Sequence, residues 1–247
     1  MTTSRTAAAV LLALGALAYT AWALEVVLPA GLSPVHGYVS ELAAADQPYG
    51  TLFRTTDLVA GVLVAVGGLL ALCELPRGGP GALVGRAALV LFGTATAVDS
   101  RLPLSCTPTA DPECAAQERT GLVPWAHSAH TVTSTVALCA VLVAMVALTP
   151  TARRRPPGSP PARSGLGLVV LELAATAWTL AAIAALETGH EGWGVGLAQR
   201  LQVGVVAIWL GVLALSLLRA PTPGAPLQGG IPEVRGGERV PSRDARP

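Results

Sequence analysis

Lysine is absent from the 247 residues, and charged side chains of any kind make up only 13% of them, about half of the roughly 25% usual in soluble domains. With 52% hydrophobic residues, a water-soluble chain could not hide its apolar surface, so an ordinary soluble domain is excluded. All sixteen basic residues are arginine, a compositional bias from which we read no chemistry. The net charge of +1 excludes a general attraction to nucleic acid. Aromatic residues amount to 4%, too few ring faces for the carbocation cavity of a membrane terpene cyclase. No GxSxG elbow, HExxH motif, Walker loop or dinucleotide fingerprint occurs, so catalytic machinery of the soluble type is unsupported.

What is present is a set of long apolar runs. A spanning helix needs about 20 mainly apolar residues, because the hydrocarbon layer is about 30 Å thick and each residue rises about 1.5 Å. Six stretches qualify, approximately 7–28, 57–76, 81–102, 123–148, 165–187 and 195–218, separated by segments rich in Pro, Gly and charge. Their periodicity is weak, as it is when a helix is apolar all round. The expected fold is an all-α, polytopic membrane bundle of six transmembrane helices over residues 1–219. The first stretch has a second reading as a cleaved signal peptide, since Arg5 precedes it and Ala21-Trp22-Ala23 loosely fits a cleavage site. Its apolar core is longer than the usual 7–15 residues, so a retained span is expected.

Arginine placement sets the orientation, because basic residues near short loops stay on the cytoplasmic side. With the N-terminus inside, Arg54, Arg101, Arg119 and Arg200 fall outside and the other twelve of the sixteen inside. Both termini are therefore expected in the cytoplasm of a multi-pass cell-membrane protein. The segment from Arg153 to Arg163 reads as a cytoplasmic linker between two three-helix halves, broken by proline. Residues 220–247, rich in Pro, Gly and Arg, read as a disordered cytoplasmic tail.

Sidedness divides the four cysteines. Cys73 and Cys139 lie within spans, where a small packing role is the default. Cys106 and Cys114 share the loop between spans three and four, where an oxidising compartment allows a disulfide. A zinc pair competes with that reading, but their spacing of eight residues lacks the CxxC pattern.

The ionisable groups gather at the outer end. His36, His127, His130 and His190 all map there, joined by Glu25, Asp57, Asp99 and Glu187 at span ends and by Arg200 just inside span six. Such groups at membrane depth are expensive unless they face a bundle interior or water, which makes this a candidate binding site. In WAHSAHTVTS at the start of span four, His127, His130 and Ser134 fall at i, i+3 and i+7. Together with Asp99 they form a candidate catalytic group. Asp99, His127 and His130 are also suitable ligands for a divalent metal such as zinc. Three readings stand: interfacial histidines bonded to loop carbonyls and Asp99, a metal site, and acid–base chemistry without metal. In the first outer loop, HGYVSELAA offers Ser40 and Glu41, which cap a short interfacial helix or, less simply, supply a nucleophile. Glu172 is the one acid deep in span five, either a hydrogen-bonded carboxylic acid or part of a proton path.

The run VSELAAADQPYGTLFRTTDLVAGVL, then Asp99 in AVDSRLPL, then the loop leading to His127 and His130, resembles the bacterial six-span family called domain of unknown function 998. That family is related to the FGF-receptor-activating and damage-regulated autophagy membrane proteins. The resemblance covers about residues 7 to 218, and it implies the six-span fold and the outer polar cluster without a reaction or substrate. A more distant likeness, by chemical analogy alone, is to the alkaline ceramidase and progestin/adipoQ receptor superfamily, whose members use Ser, Asp and three His around zinc. Ser40 or Ser134, Asp99, His127, His130 and either His36 or His190 would supply that set here. The chain departs from the pattern in having six spans and a mid-chain HxxH.

Three functions follow. One is a membrane enzyme acting on a lipid or other apolar substrate by His/Asp chemistry, metal-assisted or not. Another is a small transporter or lipid-binding protein, with Glu172 and Arg200 lining its path. The third is a structural or regulatory membrane protein whose polar cluster fixes helix packing. The expected partners are membrane lipids and an apolar small molecule. No motif identifies a protein partner.

Overall fold

A computed structural model of the chain describes residues 2–76, 79–153, 161–190 and 193–219. Among the described residues seven α-helices follow in order: α1 (Thr2–Ala18), α2 (Gly50–Glu74), α3 (Gly79–Asp99), α4 (Pro112–Thr120), α5 (Trp125–Arg153), α6 (Pro161–Glu187) and α7 (Val195–Leu218). Short 3-10 helices at Ala21–Val26 and Val39–Ala43 follow α1. No strand occurs among the described residues. Six of these segments are long and apolar enough to cross a membrane: Thr3–Val26, Gly50–Glu74, Gly79–Asp99, Trp125–Thr149, Gly165–Glu187 and Val195–Leu218. The greater part of the expected basic linker, and the whole of the expected tail, lie outside the described residues.

The spans form a closed ring. α1 packs on α2, α2 on α3, α3 on α5, α5 on α6 and α6 on α7, and α7 returns to α1. Successive spans are neighbours around the ring, and they run in alternate directions, as sequential helices of a bundle do. The interior is filled by residues from most of the walls, including Leu12, Val64, Leu89, Phe92, Met145 and Leu210. Tyr19 meets Phe92 edge to face, with ring centroids 5.7 Å apart, the geometry favoured by the ring quadrupoles.

Where α2 crosses α3, glycine removes the side chains. A Cβ on Gly61 would stand 2.5 Å from the Ala97 nitrogen, and one on Gly93 would stand 2.4 Å from the Ala65 nitrogen. Backbone meets backbone there, the close approach that small residues permit between helices in lipid.

Several boundaries differ from the sequence reading. α2 begins at Gly50 rather than near 57, because Arg54 turns back to the Ala43 carbonyl at 2.7 Å and hides its charge. α4 was not expected in the loop before span four. It is polar but well punctuated: Asp111 accepts from the Glu113 amide at 2.9 Å, Pro112 opens it, and Gly121 ends it in the left-handed region at φ 69°. Cys73 and Cys139 are exposed on the flank of the bundle rather than packed inside it. Cys106 and Cys114 are joined in a disulfide.

Candidate functional site

Segments 27–49, 100–124, 188–190 and 193–194 meet at one end of the ring, called the loop end below. Backbone bonds tie them to one another and to α7: Ala45 donates to Leu104 at 2.8 Å, and Gly196, in the first turn of α7, donates to Val35 at 3.0 Å. Glu41 is the central tie. Its carboxylate is buried and accepts from the Thr109 amide at 2.7 Å, from the Tyr38 amide at 3.0 Å and from the Thr109 hydroxyl. Burial raises the Glu41 pKa above the usual carboxylate value, against the hydrogen bonds of Thr109 and Tyr38, which lower it. The expectation that Glu41 caps a short helix holds in this sense, but Ser40 makes no side-chain hydrogen bond among the described residues.

Arg200 and Glu25 join α7 to the end of span one. The guanidinium Nε and Nη2 reach the two carboxylate oxygens at 2.6 and 2.5 Å, while Nη1 donates to the carbonyls of Gly37 at 2.9 Å and Gly196 at 3.0 Å. Both side chains are buried. This bidentate pair is fully engaged in holding the structure.

The span-four stripe divides into two places. His130 Nδ1 lies 3.1 Å from Asp99 Oδ1, close but not aligned as a hydrogen bond. Asp99 also accepts from the hydroxyls of Thr133 and, at 3.0 Å, Ser134. Asp57 sits within the helix rather than at its start, and is in electrostatic reach of Asp99 and His130. His127 turns elsewhere. Its Nδ1 accepts from the Ser105 amide at 3.1 Å and meets the Ser105 hydroxyl at 2.9 Å. The neutral ring therefore carries its proton on Nε2, which points toward Glu118 Oε1 at 3.5 Å. A step of three residues moves one turn along the helix and about 60° around it, so one imidazole reaches the loop and the other reaches α3. The candidate metal ligands Asp99, His127 and His130 are thus not brought together. No three His, Cys, Asp or Glu side chains converge as metal ligands among the described residues.

A pocket of about 540 Å³ opens at the loop end between α4, α6 and the start of α7, within the roughly 300–1,000 Å³ typical of small-molecule sites. His36, Tyr38, Glu118, Arg119 and Glu187 give it charge and hydrogen bonding, while Ala182, Leu186, Trp193 and Val195 give it an apolar wall. The Tyr38 pKa is pushed up to about 12 by burial first and then by Glu118, Glu41 and Glu187, so its hydroxyl stays a neutral donor. Of the candidate binding residues, the pocket takes His36 and Glu187. Glu25 and Arg200 pair with each other, Asp57 lies in electrostatic reach of Asp99 and His130, and His190 is exposed beside the Thr188 hydroxyl at 3.1 Å. Sequence reasoning missed Ser105, Glu118 and Arg119. The helix signals of Asp111-Pro112 and Gly121 would have pointed to the last two.

No curated protein and no solved structure matches the chain. A family model described as protein of unknown function (DUF998) matches residues 11–216, from the second half of α1 nearly to the end of α7 and so through every segment of the loop end, and the chain belongs to that family.

Proposed function

We propose that the protein sits in the cell membrane with its loop end outside and binds the ionised head of an amphiphile, a lipid or similar apolar molecule, in the loop-end pocket. The observation that carries this reading is the lining itself. Glu118, Glu187 and Arg119 place both signs of charge beside the apolar wall of Leu186, Trp193 and Val195. A zwitterionic head matches that lining: its cationic group finds the carboxylates and the Trp193 face, and its anionic group finds Arg119. The pocket lies where α6 and α7 reach their ends, so the apolar tail can stay among the span surfaces.

Acid–base chemistry on the bound molecule is the second reading, and one contact favours it. Glu118 belongs to the pocket wall and also faces His127, whose other nitrogen meets Ser105. A carboxylate, an imidazole and a hydroxyl in series are the parts of a proton-transfer chain. The Asp99 group lines no part of the pocket, and its oxygens are taken by Thr133 and Ser134, so here it serves to lock α3 to α5.

Thermal shift and native mass spectrometry of the full-length protein test the binding, with a zwitterionic phospholipid, an anionic phospholipid and an uncharged diacylglycerol as probes. The zwitterionic lipid should bind most tightly. Arg119→Ala and Glu187→Gln, both at exposed positions, should weaken it by about tenfold each, the equivalent of about 1.4 kcal/mol. Equal affinity for all three probes, or no change in the variants, refutes the reading. If the bound molecule is turned over, His127→Gln stops turnover and leaves binding in place.

A further inference from the structure

A buried carboxyl that neither reading uses lies on α6. Glu172 is 0% exposed, and neither of its oxygens makes a hydrogen bond, although Gln202 of α7 is near enough to act on it. The Gln202 amide is engaged elsewhere, donating to the Thr176 hydroxyl at 2.9 Å and accepting from the Thr179 hydroxyl at 3.3 Å. Residues 172, 176 and 179 share one helical face, so a polar seam runs along the α6–α7 contact inside an apolar ring. At about 1.5 Å per residue, Glu172 is about 10 Å from the Gly165 end of its span and about 22 Å from the Glu187 end.

An ionised carboxylate at that depth needs a cation or a strong hydrogen-bond set. The buried cation of α7, Arg200, is bound to Glu25, Gly37 and Gly196 and cannot serve. The ligand that satisfies Glu172 in this setting is a proton.

Other polar groups connect this position with the loop end. Tyr19, just past the end of α1, packs edge to face on Phe92 against the core of the ring and is in electrostatic reach of Asp57, Glu172 and Asp99. Asp57 is in turn in reach of Asp99 and His130, and Asp99 and His130 are 3.1 Å apart. We propose that Glu172 is a proton-binding site inside the bundle, loaded and unloaded from the loop end by way of Tyr19 and the Asp57–Asp99–His130 group. Only O–H and N–H bonds are exchanged. The Tyr19 hydroxyl takes one proton as it releases another, with water carrying the proton across the intervening gaps.

Infrared spectroscopy of the full-length protein in lipid nanodiscs tests this. The carbonyl stretch of a protonated carboxylic acid should be present in the wild type, absent from Glu172→Gln, and shifted after transfer to D2O. Tyr19→Phe should slow that shift by about tenfold, which corresponds to about 1.4 kcal/mol on the barrier. A spectrum from which Glu172→Gln removes nothing overturns the site, as does a Glu172 band that never exchanges. Exchange at the wild-type rate in both Tyr19→Phe and Asp99→Asn overturns the route. If Glu172→Gln does not fold, a hydrophobic carbodiimide, which attacks protonated carboxyls in apolar surroundings, replaces it. An adduct on the Glu172 peptide of the wild type supports the site, and labelling only at other carboxyls overturns it.

Discussion

At the scale of single residues, the strongest constraint is the Arg200–Glu25 pair. Both side chains are buried, and four hydrogen bonds leave the guanidinium well satisfied. Removing one partner leaves a buried charge alone, which costs about 3–5 kcal/mol. Arg200→Met should therefore lower the melting temperature in detergent sharply, and Glu25→Gln nearly as much. The double variant Glu25→Gln/Arg200→Met should be more stable than Arg200→Met alone, because it no longer strands a carboxylate. A double variant that loses as much as the two single losses added together would show that the pair does not act as a unit. Both residues are legible in sequence as ionisable groups at membrane depth. Their pairing is not, since 175 positions separate them and they meet only because α7 returns to α1. The same limit applies to His127 and His130. Helical spacing places them near one face, yet one turn of rise separates their targets, and those targets depend on where the loop carrying Ser105 folds back.

At the scale of elements, the α2–α3 crossing decides how tightly the ring can close. A Cβ at position 93 would fall 2.4 Å from the Ala65 nitrogen and 2.7 Å from the Gly61 oxygen, both backbone atoms that cannot move aside alone. Gly93→Ala should cost about 1–3 kcal/mol, the usual penalty of overpacking. Gly211 in α7 is the internal control, since a Cβ there would meet nothing within 4 Å. Gly211→Ala should be neutral or stabilise by up to about 1 kcal/mol through helix propensity. Denaturation curves that rank the two variants in the opposite order would refute the close-approach account. The spans were legible because hydrocarbon imposes length and apolarity on every one of them. The polar elements were less so: α4 has no apolar periodicity to mark it, and the first two turns of α2 carry Arg54, whose charge is hidden only by carbonyls of the preceding loop.

At the scale of the whole molecule, the ring has two unlike ends, and every functional statement depends on which one faces out. The loop end holds the pocket, the Glu41 tie and the Cys106–Cys114 disulfide, and a lasting disulfide requires an oxidising compartment. The six-span topology read from the sequence assigns twelve of the sixteen arginines to the opposite side, and basic residues near short loops are retained on the cytoplasmic side. Chemistry and topology therefore point the same way from independent physical causes. Single reporter cysteines can check this once Cys73 and Cys139 are replaced and the disulfide is kept. Leu122→Cys, at a position 75% exposed in the loop before α5, should react with a membrane-impermeant maleimide in intact cells. Thr151→Cys, beyond the apolar part of α5, should react only after permeabilisation. The reverse pattern would turn the pocket toward the cytoplasm and remove the compartment that the disulfide needs. The bound amphiphile would then have to come from the inner leaflet, and the Glu172 proton would exchange with cytoplasmic water.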